Sequence, residues 1–435
     1  MREFWAWLRL VFRTLWKSPL LLVTLLVAVV ATNVRILLNR RGRKVWVLSV
    51  EDATYLPFVQ GALAQMPDGF FDEIMLVVAC RKFAIAEVTS ELMSSGIPVS
   101  LAIENWSCGM IVFYDLFVST HQSAVVPVVR RGPRVCLFHG LPAKGGTFVS
   151  EQWRFFDGAF LIGPLQERMF EDFRSSSRRS AELWGRRIGL IKSDALLNGK
   201  IDRTEVICSL GIDADQPTVL YAPSWESGAS LRSNGTGICE RLAEQPWNTI
   251  VKLHPMSYFP STEVKASGGV DWIERLASFE SDRFRHASRA DITPLLAAAD
   301  VLVTDVSSVA FEAILIDMPV VFLDCPEFFR QTVGEMYGLS EREARDSLEF
   351  NCGRDAGAVV TSPDELVTAI NFALADPTAQ AAEREQVRAE LVFNPGRAAT
   401  VAAEALVELL EASQGRSPES PDTQPTHHPD GRDSE

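Results

Sequence analysis

From Lys44 onward, short runs that are apolar on both faces alternate with stretches of helical periodicity. The runs "KVWVLSV", "EIMLVVAC", "PVSLAI", "DLFVST", "RVCLFHG" and "GAFLIG" punctuate residues 44–163, and "TVLYAPS", "NTIVKLHP", "VLVTD", "PVVFLD" and "AGAVV" form a second series over residues 218–360. A strand apolar on both faces is buried on both, as in a parallel sheet covered by helices. The pattern therefore predicts two doubly wound α/β units in tandem, each Rossmann-like. The joint between them falls near residues 190–216, where "NGKIDRTEVICSLGIDADQP" supplies a helix bracketed by turn formers. The expected organisation is a first domain over 44–195, a second over 196–395 and a C-terminal helix over 396–412. The Ser-, Pro-, Asp- and Thr-rich stretch 413–435 reads as a disordered tail.

Residues 1–43 follow another pattern. An aromatic stretch from Phe4 to Trp16, punctuated by arginine, resembles a helix lying among lipid headgroups, and the chain from Pro19 to Thr32 then carries no charge. That uncharged run is shorter than the ~20 residues that span a bilayer comfortably, so a spanning segment and a monotopic anchor both stay open. A cleaved leader is disfavoured, because the remaining chain would begin with the basic run "TNVRILLNRRGRK". An N-terminal hydrophobic membrane segment is expected, with the body of the protein on the cytoplasmic face of the cell membrane.

Charge sharpens this division. The net charge is −14, yet residues 1–44 hold nine basic side chains against Glu3 alone, which leaves the remainder strongly acidic. An acidic body repels nucleic acid, and a basic end suits the anionic lipid of an inner membrane. The seven cysteines form no C-x-x-C pair and no cluster with histidine at zinc spacing, so they read as reduced thiols, and no metal site is expected.

In open parallel sheets, ligands sit outside the carboxyl ends of the strands. Three strands here end in polar groups. "RVCLFHGLPAKG" delivers His139, followed by Gly140, where the backbone can be approached closely, and by Lys144 and Gly145 in a loop able to wrap an anion. A histidine satisfied by a backbone carbonyl is the other reading of His139. "TIVKLHPM" places Lys252 and His254 on one face of a strand end, two donors that suit a phosphate or a solvated edge. "VLVTDVSSVAFEA" ends a strand with Thr304 and Asp305 and opens a helix with Ser307 and Ser308, whose free N–H groups and positive dipole end suit a phosphate. Glu312, one turn farther on, is within reach of ribose or polyol hydroxyls.

Together these stretches resemble the CDP-glycerol glycerophosphotransferases, membrane-associated enzymes of teichoic-acid-type polymer synthesis, over nearly all of residues 130–410. The strand ending in His-Gly followed by Pro and Lys-Gly is matched by His139, Gly140, Pro142, Lys144 and Gly145. "GLIKSD" keeps Gly189, Lys192 and Asp194 of a second motif. "LYAPSW" carries Pro223 and Ser224, and Lys252, His254 and Pro255 match a basic-x-His-Pro signature. "TDVSSVAFEA" departs from the family in Val306 and Glu312, while "FNPGRAA" supplies Asn394, Gly396, Arg397 and Ala398.

The resemblance implies two facing domains of the GT-B type, the first for an acceptor and the second for the donor nucleotide. It implies transfer of polyol phosphate from CDP-glycerol or a related CDP-polyol, a substrate and not a tightly bound cofactor, to a membrane-linked acceptor, with release of CMP. His139 and His254 would be catalytic. Lys252, Thr304, Asp305, Ser307, Ser308, Glu312, Asn394, Gly396 and Arg397 would bind the donor diphosphate and nucleotide. A glycosyltransferase using a nucleotide sugar and a non-catalytic partner of a polymer synthase are the alternatives.

Overall fold

A computed structural model describes residues 19–142, 147–148, 151–258, 269–288 and 291–412. The aromatic stretch Phe4–Trp16, Lys144 and Gly145, and the tail 413–435 lie outside the described residues. Seven parallel strands form the first sheet: β1 (Lys44–Ser49), β2 (Ile74–Cys80), β3 (Leu101–Glu104), β4 (Leu116–Ser119), β5 (Arg134–Cys136), β6 (Gly158–Leu161) and β7 (Trp184–Arg187). Their order is β3-β2-β1-β4-β5-β6-β7. Six parallel strands form the second: β8 (Thr218–Tyr221), β9 (Asn248–Val251), β10 (Phe284–His286), β11 (Val301–Thr304), β12 (Val320–Leu323) and β13 (Ala358–Val360), in the order β10-β9-β8-β11-β12-β13. Each order reverses once, between β1 and β4 and between β8 and β11, and each reversal opens a crevice at the carboxyl ends of the strands.

The predicted apolar runs supply eleven of these strands; β7 and β10 are additional. Both are edge strands with partly polar sequences, "WGRR" and "FRH", so they lack the two-faced apolar signal that burial demands. Asp202 caps the helix Arg203–Leu210 at its start and Gly211 ends it at φ 66°, as the turn formers around the joint predict.

The chain closes back on itself after the second sheet. The helix Ala398–Ala412 packs Ala402, Ala405, Leu406 and Leu410 into the core beneath β1 and β2. Asp194 accepts the first N–H groups of that helix, from Ala398 at 3.1 Å and Ala399 at 2.7 Å. Gly189, at φ +107°, lets the backbone meet the Phe393 carbonyl where any Cβ would overlap it.

The N-terminal expectation needs correction. No helix among the described residues is long and apolar enough to cross a membrane. The helix Pro19–Arg40 instead lays one face on the first domain, where Val29 and Ile36 are buried and the Asn33 side chain donates to the Met110 carbonyl (3.0 Å) and accepts from the Val112 N–H (2.9 Å). Its other face leaves Val27, Val30, Val34, Leu37 and Leu38 exposed. The lack of charge that suggested a bilayer span partly reflects this docking.

Candidate active site

The crevice of the first sheet collects aromatic and imidazole rings. His139 lies three residues beyond β5, and its Nδ1 donates to the Thr120 carbonyl at 3.1 Å. A carbonyl only accepts, so in the neutral ring Nδ1 carries the hydrogen and Nε2 keeps the lone pair of a base. Both sequence readings of His139 therefore hold together: the carbonyl satisfies one nitrogen and frees the other. Burial, followed by the neighbouring His121, lowers the His139 pKa to about 4.

Three residues that no motif revealed surround this ring. His121, just past β4, stacks on it with centroids 4.7 Å apart and planes 9° apart. Tyr55 and Phe58, from the turn after β1, meet it edge-on at 5.1 and 6.3 Å. Position beyond a strand end at the reversal of strand order was the available signal for His121; the turn Ala53–Phe58 offers none.

A chain of contacts leads to the second sheet. Phe58 also lies 5.3 Å from Lys192 Nζ, which forms an ion pair with Glu312 Oε2 at 2.9 Å. Lys192 belongs to the motif after β7 and Glu312 to the helix Val309–Leu315, so this pair, almost fully buried, joins the two halves. Glu312 is thus engaged by Lys192 across the two halves.

Around the second crevice the structure sorts the polar residues into supports and candidate contacts. Thr304 and Asp305 are fully buried. The Thr304 hydroxyl donates to the Ala222 carbonyl at 2.7 Å. Asp305 accepts from the N–H groups of Ser224 (2.8 Å), Ser230 (2.8 Å) and Val306 (2.7 Å) and from the Ser230 hydroxyl (2.6 Å). The side chains of these two residues therefore hold the Pro223–Ser224 loop in place. Ser307 and Ser308 are partly exposed at the helix start, and among the described residues their amides find no acceptor.

Strand β9 ends at Val251, so Lys252 and His254 lie in the segment beyond it and not on one face of a strand. Lys252 Nζ donates to the Ser288 carbonyl at 3.3 Å and sits 5.8 Å from the Tyr258 ring; burial lowers its pKa. His254 is exposed, accepts the Met256 N–H at Nδ1 (3.2 Å) and lies 6.0 Å from Trp225 at 29°. The "LYAPSW" and "KLHP" stretches thus meet there. Tyr258 and His286, bonded at 2.9 Å, complete this edge and carried no sequence signal.

Asn394, Gly396 and Arg397 are placed elsewhere. Asn394 donates to the carbonyls of Arg187 (3.2 Å) and Ile188 (3.0 Å), and the Gly396 carbonyl accepts from Asn198 at 2.8 Å. Arg397 is exposed beside them. With Gly189 and Asp194, they form the joint by which the chain returns to the first domain, a structural use of the "FNPGRAA" motif expected at the nucleotide. A cavity of about 750 Å³ lies at the opposite end of the first sheet, where Arg130 and Arg134 both close on Asp157 at 2.9 Å. Its arginines are internally paired, and it is remote from the strand ends that carry the imidazoles. Among the described residues, no cluster of three or more His, Cys, Asp or Glu side chains is placed to hold a metal.

Comparison with known proteins finds a family match over the second part of the chain. Residues 186–400 match the family described as CDP-glycerol:poly(glycerophosphate) glycerophosphotransferase. Residues 186–400 thus carry the pattern of this glycerophosphotransferase family. The match includes Lys192, Lys252, His254 and the 304–312 stretch, and it begins after His139. The teichoic acid poly(glycerol phosphate) polymerase of Bacillus spizizenii is 26% identical over 134 residues, 29% of this chain and 32% of that protein. The matched stretch thus spans about a third of that relative's length.

The solved wall teichoic acid polymerase TagF shares the fold of this chain, with a TM-score of 0.60 and 15% identity over 87% of this chain and 91% of the other. A putative UDP-N-acetylglucosamine 2-epimerase from Listeria monocytogenes shares it more loosely, with a TM-score of 0.51 and 14% identity over 85% and 97% of the two chains.

Proposed function

We propose that the protein is a membrane-associated transferase that moves glycerol phosphate, or a related polyol phosphate, from a CDP-activated donor to a hydroxyl of a membrane-linked acceptor. The family match supports the reaction class. The observation that carries the mechanism is the His139 tautomer, with Nδ1 tied to Thr120 and a lone pair left on Nε2. In the proposed step, the acceptor hydroxyl attacks the β-phosphorus of the donor. A new O–P bond forms, the bond from that phosphorus to the bridging oxygen breaks, and CMP departs with that oxygen. His139 Nε2 takes the hydroxyl proton.

Lys252, His254, the Ser307 and Ser308 hydroxyls and their amides neutralise the diphosphate across the second crevice. The two halves act as facing GT-B-type domains, acceptor first and nucleotide second, joined by Lys192 and Glu312. The exposed apolar face of the helix Pro19–Arg40, with Arg35, Arg40, Arg41 and Arg43 on or just beyond it, supports a monotopic seat on the cytoplasmic face of an anionic membrane.

The test is to incubate the purified chain with CDP-glycerol and membrane-extracted acceptor and identify the released nucleotide by mass. CMP is the expected product. A nucleoside diphosphate released from a nucleotide sugar would instead assign a glycosyltransferase, and no turnover with any donor would assign a non-catalytic partner.

A further inference from the structure

The turn that ends β4 is built around one ring. The buried Ser119 hydroxyl donates to the His121 carbonyl at 3.0 Å and accepts the His121 N–H at 3.1 Å. The Ser123 N–H donates to His121 Nδ1 at 2.9 Å. Main chain and side chain of His121 are therefore both fixed. Thr120, between these residues, supplies the carbonyl that binds His139.

One hydrogen bond fixes a nitrogen of His139, but it leaves the ring free to tilt about that bond. The tilt is removed by contact with a second flat surface, and His121 supplies it, at 4.7 Å and 9°. Tyr55 stands edge-on to both imidazoles, at 6.1 Å from His121 and 5.1 Å from His139. We propose that His121 is a positioning residue for His139, holding the imidazole plane in which the unprotonated Nε2 meets the acceptor hydroxyl. The inference rests on His139 acting as the general base.

The two rings have opposite polarity. His139 donates from Nδ1 and is basic at Nε2; His121 accepts at Nδ1, so its neutral form carries hydrogen on Nε2. Protonating both would stack two like charges, which keeps the pair neutral. The surrounding charges are few. Burial and then Arg81 lower the His121 pKa, whereas Glu51 acts against burial at His139. Arg81 is itself paired with Glu51 at 2.6 Å. Burial followed by Asp52 pushes the Tyr55 hydroxyl up to about 12, so it stays neutral.

The experiment uses the full chain labelled with ¹⁵N at histidine, as wild type, His121→Phe and His121→Ala, and follows the His139 ring by NMR through a pH titration. The same three proteins are assayed for kcat and KM with CDP-glycerol across pH. In His121→Ala the His139 midpoint should rise toward the ordinary 6.5. A base with that pKa is only about one-tenth neutral near pH 5.5, so the rate there should fall about tenfold more than near pH 8. The loss should appear in kcat, with KM for CDP-glycerol held.

His121→Phe keeps a flat ring and should retain kcat within about threefold, with a smaller rise in midpoint. An unmoved His139 midpoint and tautomer in His121→Ala, or an equal and pH-independent loss in both variants, would overturn the positioning role. The NMR arm needs no substrate: a His139 ring that responds to His121 in a protein releasing no CMP supports the coupling and rejects the assigned reaction.

Discussion

At the scale of single residues, the second crevice separates groups that the sequence presented as one motif. Thr304, Asp305, Ser307 and Ser308 are nearly contiguous, yet the first two are spent inside the protein and the last two stand at its surface. Replacing Ser307 and Ser308 with alanine should weaken donor binding by up to a few kcal/mol, since charge-assisted bonds contribute roughly 1.5–3 kcal/mol each, with no change in melting temperature. Asp305→Ala should do the reverse. It strands buried donors at roughly 1–3 kcal/mol apiece, so thermal unfolding should register the loss before nucleotide titration does.

The histidines make a parallel pair. His139→Asn and His254→Ala are each expected to lower turnover by about 10²–10⁴ while circular dichroism stays that of the wild type. Retention of more than about a tenth of the activity in both would remove imidazole chemistry from the mechanism.

At the scale of elements, the strands most legible in the sequence are those buried on both faces, such as "IMLVVAC" in β2 and "VLVT" in β11. The edge strands β7 and β10 were illegible, because their sequences "WGRR" and "FRH" are partly polar, unlike the apolar runs of the edges β3 and β13. Strand-end position singled out His139, Lys252 and Ser308 as candidates. It did not tell that Asp194 would cap a helix two hundred residues later, or that Lys192 would meet Glu312, because pairings between distant segments leave no local pattern.

The Lys192–Glu312 pair has a measurable weight. With both side chains buried, Lys192→Met leaves an uncompensated carboxylate, and a loss of about 3–5 kcal/mol is expected in denaturant unfolding. Pairing it with Glu312→Leu should restore much of that stability. A single variant as stable as the wild type would show that the halves are not joined there.

At the scale of the whole molecule, one apolar helix face and two crevices lie on a single chain. Val30, Val34 and Leu38 point away from the first domain on the helix Pro19–Arg40, whose opposite side is anchored by Asn33 and Ile36. Changing those three exposed residues to glutamate should abolish sedimentation with anionic vesicles without loss of fold. Wild-type binding should survive high salt, because apolar insertion is not screened as surface charge pairing is. Vesicle binding unchanged in the triple variant would place the membrane contact elsewhere on the chain.

The most direct measurement is stoichiometric. With CDP-glycerol labelled in the glycerol and membrane-extracted acceptor, the account predicts one CMP released for each glycerol phosphate incorporated, with both signals lost together in His139→Asn. Release of CDP or of any nucleoside diphosphate, or undiminished CMP release from His139→Asn, would contradict it.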